Sequence, residues 1–364
     1  MANLRDRLKR IQELKKETPQ KIHTQYEDIP DLTDNGWEPC GFKVYKREIK
    51  TPSPFKSIKS LPAALPIIIP DLQGESLPQI EDFLFFDLET TGLSGGAGTV
   101  AFLAAFGKLS SGGELRITQY LLLDYPGEND FIEKVKGELE REKAVIVSYN
   151  GKCFDSQIIK TRCLMNRITP PQYYHADLLH PSRRLWKNII HDCSQASIET
   201  RLLGLDRSSD IPGSLAPEIW FEFLKTGRVD RLIGVCDHNK ADISGLAAIL
   251  SKIILIADSP LDDKHLYDVE RIALYWRKYL WRQESPSQGN KLEKDGEKLL
   301  RLAAEKDNPR AVYVYIYEQT RKGNIDTALK FVDRGLKLFD EDTIWHEKLL
   351  RRKERLIKRK NVNY

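Results

Sequence analysis

The chain has 364 residues, 41% apolar and 30% charged, the composition of a soluble globular protein of two or three domains. Its best apolar runs, Leu61–Ile69 and Ala247–Ala257, are short and broken by Pro or polar residues, which excludes a membrane span. The charged stretch Leu4–Glu17 lacks the apolar core of a secretory signal. Five cysteines (Cys40, Cys153, Cys163, Cys193, Cys236) are scattered, with no C-x-x-C pair. That argues against a disulfide framework or zinc knuckle and for a reducing, cytoplasmic setting. The net charge of +4 is concentrated at one end: from Glu341 to Tyr364 eight Lys or Arg stand against four acids. This basic tail reads equally as a solvated helix or as a phosphate-attracting arm.

In chain order, residues 1–79 read as a basic amphipathic helix over 1–22, then an irregular segment with a short hairpin around Phe42–Ile49 and a Pro-rich strap over Thr51–Pro70. The texture then changes. Phe83–Leu88 is an apolar run ending in charge, as expected of a buried strand. Thr99–Leu109 and Leu115–Asp124 follow as strands with short links, an antiparallel meander. Helix Asn129–Glu142, strand Ala144–Tyr149, helix Ser156–Asn166 and strand Tyr173–Leu178 complete an α/β pattern of five strands, with Val145–Val147 reading as buried on both faces. Helices are expected over Ser194–Leu203, Pro217–Thr226 and Arg228–Ile256. Past Pro260 the pattern is helical throughout: Lys264–Gln283, Lys291–Lys306, Pro309–Lys322, Ile325–Phe339 and Thr343–Lys360. The pair around Gly323 and Asn324, with Ala328 and Leu329 following, has a tetratricopeptide-like cadence; a plain helical bundle fits as well.

Phe85-Phe86-Asp87-Leu88-Glu89-Thr90-Thr91-Gly92 is the most informative segment. Strand alternation puts Asp87 and Glu89 on one face. Two neighbouring carboxylates at the end of an apolar strand repel each other unless a cation lies between them, and hard divalent ions prefer such oxygen donors. Alone, D-x-E is common and reads most often as a solvated strand end. Asn150 through Asp155 then places a carboxylate at the start of a helix, and His238 and Asp242 stand i and i+4 on one helix face. The Gly-rich stretch Gly92–Gly98 lacks G-K-[ST] and is no phosphate-binding P-loop. Arg183, Arg184, Lys187 and Trp186 read either as a solvated face around a core Trp or as a single-strand contact.

Taken together, D-x-E, N-x-x-x-x-D and H-x-x-x-D resemble the DEDD superfamily of 3′–5′ exonucleases, within the ribonuclease H-like fold. The resemblance is closer to the YprB-type ribonuclease H-like domain, through Thr90–Thr99, His175-Ala176-Asp177-Leu178-Leu179-His180-Pro181 and Asp210-Ile211-Pro212-Gly213. It covers about residues 80–257. It implies a mixed five-stranded sheet with flanking helices, followed at 258–364 by an all-α helical-hairpin region. It further implies a metal-dependent nuclease in which Asp87, Glu89, Asp155 and Asp242 hold two divalent ions, Mg²⁺ or Mn²⁺. His238, at a four-residue spacing where such proteins more often carry Tyr, would orient or deprotonate the attacking water. Thr90 and Asn150 would contact substrate, and Asp177 would be a fifth carboxylate at the site. Two ions held about 3.5–4 Å apart would supply the hydroxide and neutralise the charge of the reacting phosphate. The expected partner is nucleic acid, DNA or RNA, entered from a single-stranded end, with no membrane. A second reading stays open: a catalytically idle nucleic-acid-binding or scaffold protein whose C-terminal helices recruit a protein partner.

Overall fold

A computed structural model describes residues 30–55, 78–92, 96, 98–110, 113–207, 210–262, 265–280 and 289–362. The expected N-terminal helix over 1–22 and most of the Pro-rich strap lie outside the described residues.

Seven strands form one mixed sheet, where the sequence pattern suggested five. They are β1 (Glu38–Gly41), β2 (Val44–Pro52), β3 (Phe83–Thr90), β4 (Ala101–Leu109), β5 (Glu114–Leu122), β6 (Val145–Ser148) and β7 (Tyr174–Asp177), in the order β1-β2-β5-β4-β3-β6-β7. The β3-β4-β5 meander is antiparallel, and β6 and β7 extend it in parallel from β3. The two additional strands are the expected hairpin, longer than it reads. β2 pairs with β5 residue for residue from Val44↔Leu122 to Pro52↔Glu114, so the segment before residue 80 is part of the sheet. A short helix α1 (Pro30–Asp34) precedes it, with Leu32 and Trp37 fully buried.

Alternation along the strands gives the sheet two apolar faces. Leu84, Phe86 and Ile146 face one layer, packed against α2 (Glu128–Leu139), α3 (Asp155–Met165) and α6 (Ala216–Thr226), with Phe131, Ile159 and Trp220 in its core. Phe83, Phe85 and Val147 face the other, packed against α4 (Leu179–Ile190), α5 (Gln195–Leu202) and the 29-residue α7 (Asp230–Asp258). Asp87 and Glu89 share the parity of Phe83 and Phe85, so period two aims both carboxylates at the α7 layer. Gly107 on β4 lets α7 come close: a Cβ there would stand 2.4 Å from the Ile243 side chain.

Five helices follow: α8 (Val269–Leu280), α9 (Gly289–Glu305), α10 (Pro309–Arg321), α11 (Ile325–Leu338) and α12 (Ile344–Val362). Each packs on the next as antiparallel hairpins, with Tyr315 and Phe331 in edge contact between α10 and α11. Their apolar residues join the core of the α7 face. The seam is also polar: the Trp186 indole N–H donates to the Leu266 carbonyl (3.0 Å), the Asp268 N–H to the Leu185 carbonyl (2.7 Å) and Asn188 to the Asp268 carboxylate (2.7 Å). Trp186 is therefore core. No helix among the described residues is long and apolar enough to cross a membrane. All five cysteines are free thiols.

Candidate active site

The end of β3 and the loop after β6 meet at one cleft of about 290 Å³, lined by Asp87, Glu89, Thr90, Asn150, Phe154 and Asp155 among others, and the middle of α7 brings His238 and Asp242 to Glu89. Asp155 arrives there through a tight turn. Asn150 takes a left-handed backbone (φ 64°), and the Ser156 N–H reaches back to the Gly151 carbonyl (2.9 Å). Gly151 has no room for a side chain, since a Cβ would stand 2.3 Å from the Ser148 hydroxyl and 2.8 Å from an Asp155 carboxylate oxygen.

This turn is built from below by the His175-Ala176-Asp177 stretch. Asp177, 2% exposed, accepts the backbone N–H groups of Asn150 (2.8 Å), Lys152 (3.2 Å) and Leu179 (3.1 Å). It sits behind the cleft and does not line it, so the fifth carboxylate shapes the loop through its amides. His175 bridges the hydroxyls of Ser148 (2.7 Å) and Ser156 (3.2 Å), and burial pushes its pKa down to about 4. The Thr90 hydroxyl donates to the Gly92 carbonyl (2.9 Å) and fixes the turn after β3.

On α7, ligating atoms of Glu89, His238 and Asp242 all lie within 4.8 Å of one another. His238 Nε2 stands 3.2 Å from Asp242 Oδ2 and 3.8 Å from Glu89 Oε1. Its Nδ1 lies 2.8 Å from Asp210 Oδ2. Nδ1 also lies 3.2 Å from Arg207 Nη2, so Asp210 and Arg207 anchor that edge of the ring while Nε2 is turned toward Asp242 and Glu89. The Asp210–Gly213 stretch thus works on His238 from both ends, because a Cβ at Gly213 would lie 3.1 Å from Nε2.

The sequence reading missed three side chains that hold the acids. Asn239, fully buried, donates through Nδ2 to Asp87 Oδ2 (2.7 Å). Glu199, also fully buried, accepts Arg207 Nη1 (3.0 Å), and Arg207 Nη2 lies 2.6 Å from Asp242 Oδ1 and 2.5 Å from Asp210 Oδ2. Burial opposes the charge on Arg207, but Asp242 and Glu199 outweigh it and raise its pKa.

The charge is nevertheless unbalanced. Burial, then the neighbouring carboxylates Asp242 and Asp155, push the Asp87 and Glu89 carboxyls far above their ordinary range. Burial takes Asp155 to about 7 and raises Asp242 although His238 and Arg207 pull it down. Oxygen donors in this number and state of repulsion could hold a hard divalent cation.

Residues 84–254 match a family model described as the RNase_H superfamily. This part of the chain is an RNase H superfamily domain. The match begins inside β3 and ends inside α7, so it takes in all four cleft acids and His238. The uncharacterized protein YprB of Bacillus subtilis (strain 168) is 35% identical over 193 residues, 51% of this chain and 46% of the relative. The chain therefore spans about half the length of the curated relative it matches. Among solved structures, Escherichia coli exonuclease I in complex with a dT13 oligonucleotide shares 18% identity over 42% of each chain, with a TM-score of 0.29, too slight a likeness to build on.

Proposed function

We propose that the chain is a metal-dependent nuclease that removes nucleotides from the 3′ end of single-stranded nucleic acid, with Asp87, Glu89, Asp155 and Asp242 holding two divalent ions, Mg²⁺ or Mn²⁺. The observation that carries this reading is the convergence of four acids from β3, α3 and α7, all four pushed up first by burial, and Asp87 and Glu89 further by the charges of Asp242 and Asp155. When bound, the ions supply Lewis acidity and charge neutralisation at the phosphodiester. The chain supplies the rest. Asn239 and the Asp177-braced loop fix the directions of Asp87 and Asp155. Asp210 and Arg207 hold the His238 ring with Nε2 toward Glu89 and Asp242, where it would orient or deprotonate an attacking water. Arg207 keeps a fixed positive charge beside Asp242, where a negative transition state gains most.

End-labelled DNA and RNA oligonucleotides, incubated with Mn²⁺, Mg²⁺ or chelator, test this. Single-nucleotide shortening from the 3′ end is expected with metal and none with chelator, and blocking that end should stop it. Asp87→Ala should lower the rate by at least about 10³-fold, as expected when a metal ligand is lost, while keeping the wild-type circular dichroism spectrum. Equal rates for Asp87→Ala and wild type, or no metal-dependent cleavage of any substrate, would overturn it.

A further inference from the structure

A second cleft, of about 410 Å³, opens beside the first and shares Tyr149 and Asn150 with it. Its other wall is α4 and the turn into α5, with Arg183, Lys187, His191 and Gln195 along it. Arg183 and Lys187 are i and i+4 on α4, hence on one face, and both are exposed. Neither makes an ion pair with an acid among the described residues.

The one acid on this lining is already spent. The Asp192 carboxylate accepts the Ser194 N–H (3.0 Å), the hydroxyl of Ser194 (3.0 Å), which caps α5, and the Ser197 hydroxyl. The two cations do face the cavity: burial raises the pKa of the Cys193 thiol in this cleft, and the Arg183 and Lys187 charges draw it back down. The wall is also rigid. Arg271 of α8 donates to the Arg183 carbonyl (3.2 Å), and the Trp186 and Asp268 bonds pin the same turn of α4. The helical region thereby braces the helix that carries the cations.

An acidic cleft fit for cations thus opens directly onto a cationic one across a shared ridge. A polyanion fits both only if one of its phosphates meets metal in the first and the next ones meet Arg183 and Lys187 in the second. We propose that the α4 cleft is a subsite for the phosphodiester backbone of a single strand, holding the phosphates that neighbour the one reacting at Asp87 and Glu89. This rests on the nuclease reading for its ligand, but its test does not depend on catalysis.

The test is fluorescence anisotropy of labelled dT12 and rU12 with the full chain in EDTA, where nothing is cut, across a salt series. Each cation lost from a single-strand contact should flatten the slope of log K against log salt by about 0.7. Arg183→Gln/Lys187→Gln should therefore weaken binding about tenfold at moderate salt and flatten the slope by about 1.4, with Arg183→Lys/Lys187→Arg restoring both. Arg355→Gln/Lys358→Gln, on the exposed basic face of α12, should leave both as in wild type. With metal added, the α4 variant should raise KM on dT12 more than it lowers kcat. Unchanged affinity and slope in the α4 variant would overturn the subsite, as would an equal loss in the α12 variant or equal competition by poly-aspartate. Weakened binding with no cleavage in any variant would uphold the subsite and defeat the nuclease reading.

Discussion

Asp87 owes its direction to three side chains that never touch substrate. Arg47 on β2 donates through Nε to Gln119 Oε1 (2.7 Å), Gln119 Nε2 donates to Asn239 Oδ1 (2.8 Å), and Asn239 Nδ2 donates to Asp87 Oδ2 (2.7 Å). A guanidinium can only donate, so it fixes which end of each amide faces which way. The polarity passes through two fully buried amides and leaves Asp87 no role but acceptor. Asn239→Leu keeps the volume and removes the last link. The Mn²⁺ concentration for half-maximal activity should rise about 10- to 100-fold, as for other groups that orient a metal ligand. Stability should fall by about 1–3 kcal/mol, since one buried Gln119 N–H loses its acceptor. A metal titration by rate and a urea melt check the two effects, and an unchanged half-saturation would separate Asn239 from the metal site. The clustering of Asp87, Glu89 and Asp242 was legible because strand and helix periods align them with neighbours two or four residues away. Asn239 was not, because its partner lies 152 residues distant and an Asn within a helix announces nothing. Arg207 and Glu199 were hidden for the same reason, since only closure of the fold brings them onto Asp242.

At the scale of elements, β3 to β7 and most helices follow from apolar periodicity alone. Two elements did not. Helix α4 has no counterpart in the sequence pattern: it carries His180-Pro181 in its first turn and a pair of arginines, yet the first turn is where Pro costs a helix nothing. β2 alternates poorly because one of its inward residues is Arg47, buried under the Trp37 ring (4.9 Å to the ring centre) and paired with Asp237 (3.1 Å), so a core position looks polar. The consequence is that the sheet takes in chain from well before residue 80. Without β2, the β5 edge and its Leu115, Ile117 and Leu121 would lie open, an invitation to aggregate. Burial of Leu32, Trp37, Val44 and Tyr45 contributes more than about 5 kcal/mol. A chain beginning at residue 80 should melt roughly 10–20 °C below one beginning at residue 30, given about 2–4 °C per kcal/mol in a domain of this size. Thermal melts with size-exclusion profiles check this, and equal melting temperatures would make the hairpin dispensable.

Across the whole molecule, the helical region and the sheet share one core, so the charge that the fold gathers in its cleft acts on the stability of both. That charge opposes folding when no cation is bound. Asp155 sits in the ordinary carboxylate range in the unfolded chain and at about 7 in the folded one, through burial and then the Asp177 charge. Between those values the folded state holds the proton and the unfolded state does not, so stability falls as pH rises through that window. Asp155→Asn removes the titration and keeps the shape. It should melt above wild type in chelator at pH 8, by the equivalent of a few kcal/mol for a shift of this size. The gap should narrow as pH falls below about 7 and close near the ordinary carboxylate range. Comparing variant with wild type at each pH cancels the opposite drift of His175, whose lowered pKa makes its protonation below the ordinary histidine value destabilising. Saturating Mn²⁺ at pH 8 should raise the wild-type melting temperature, because it binds only the folded state, and should raise that of Asp155→Asn less. Melts in chelator and in Mn²⁺ across pH 5 to 8 decide the matter: a gap that does not change with pH would mean that Asp155 carries no buried charge, and the need for a cation at this cleft would lose its electrostatic basis.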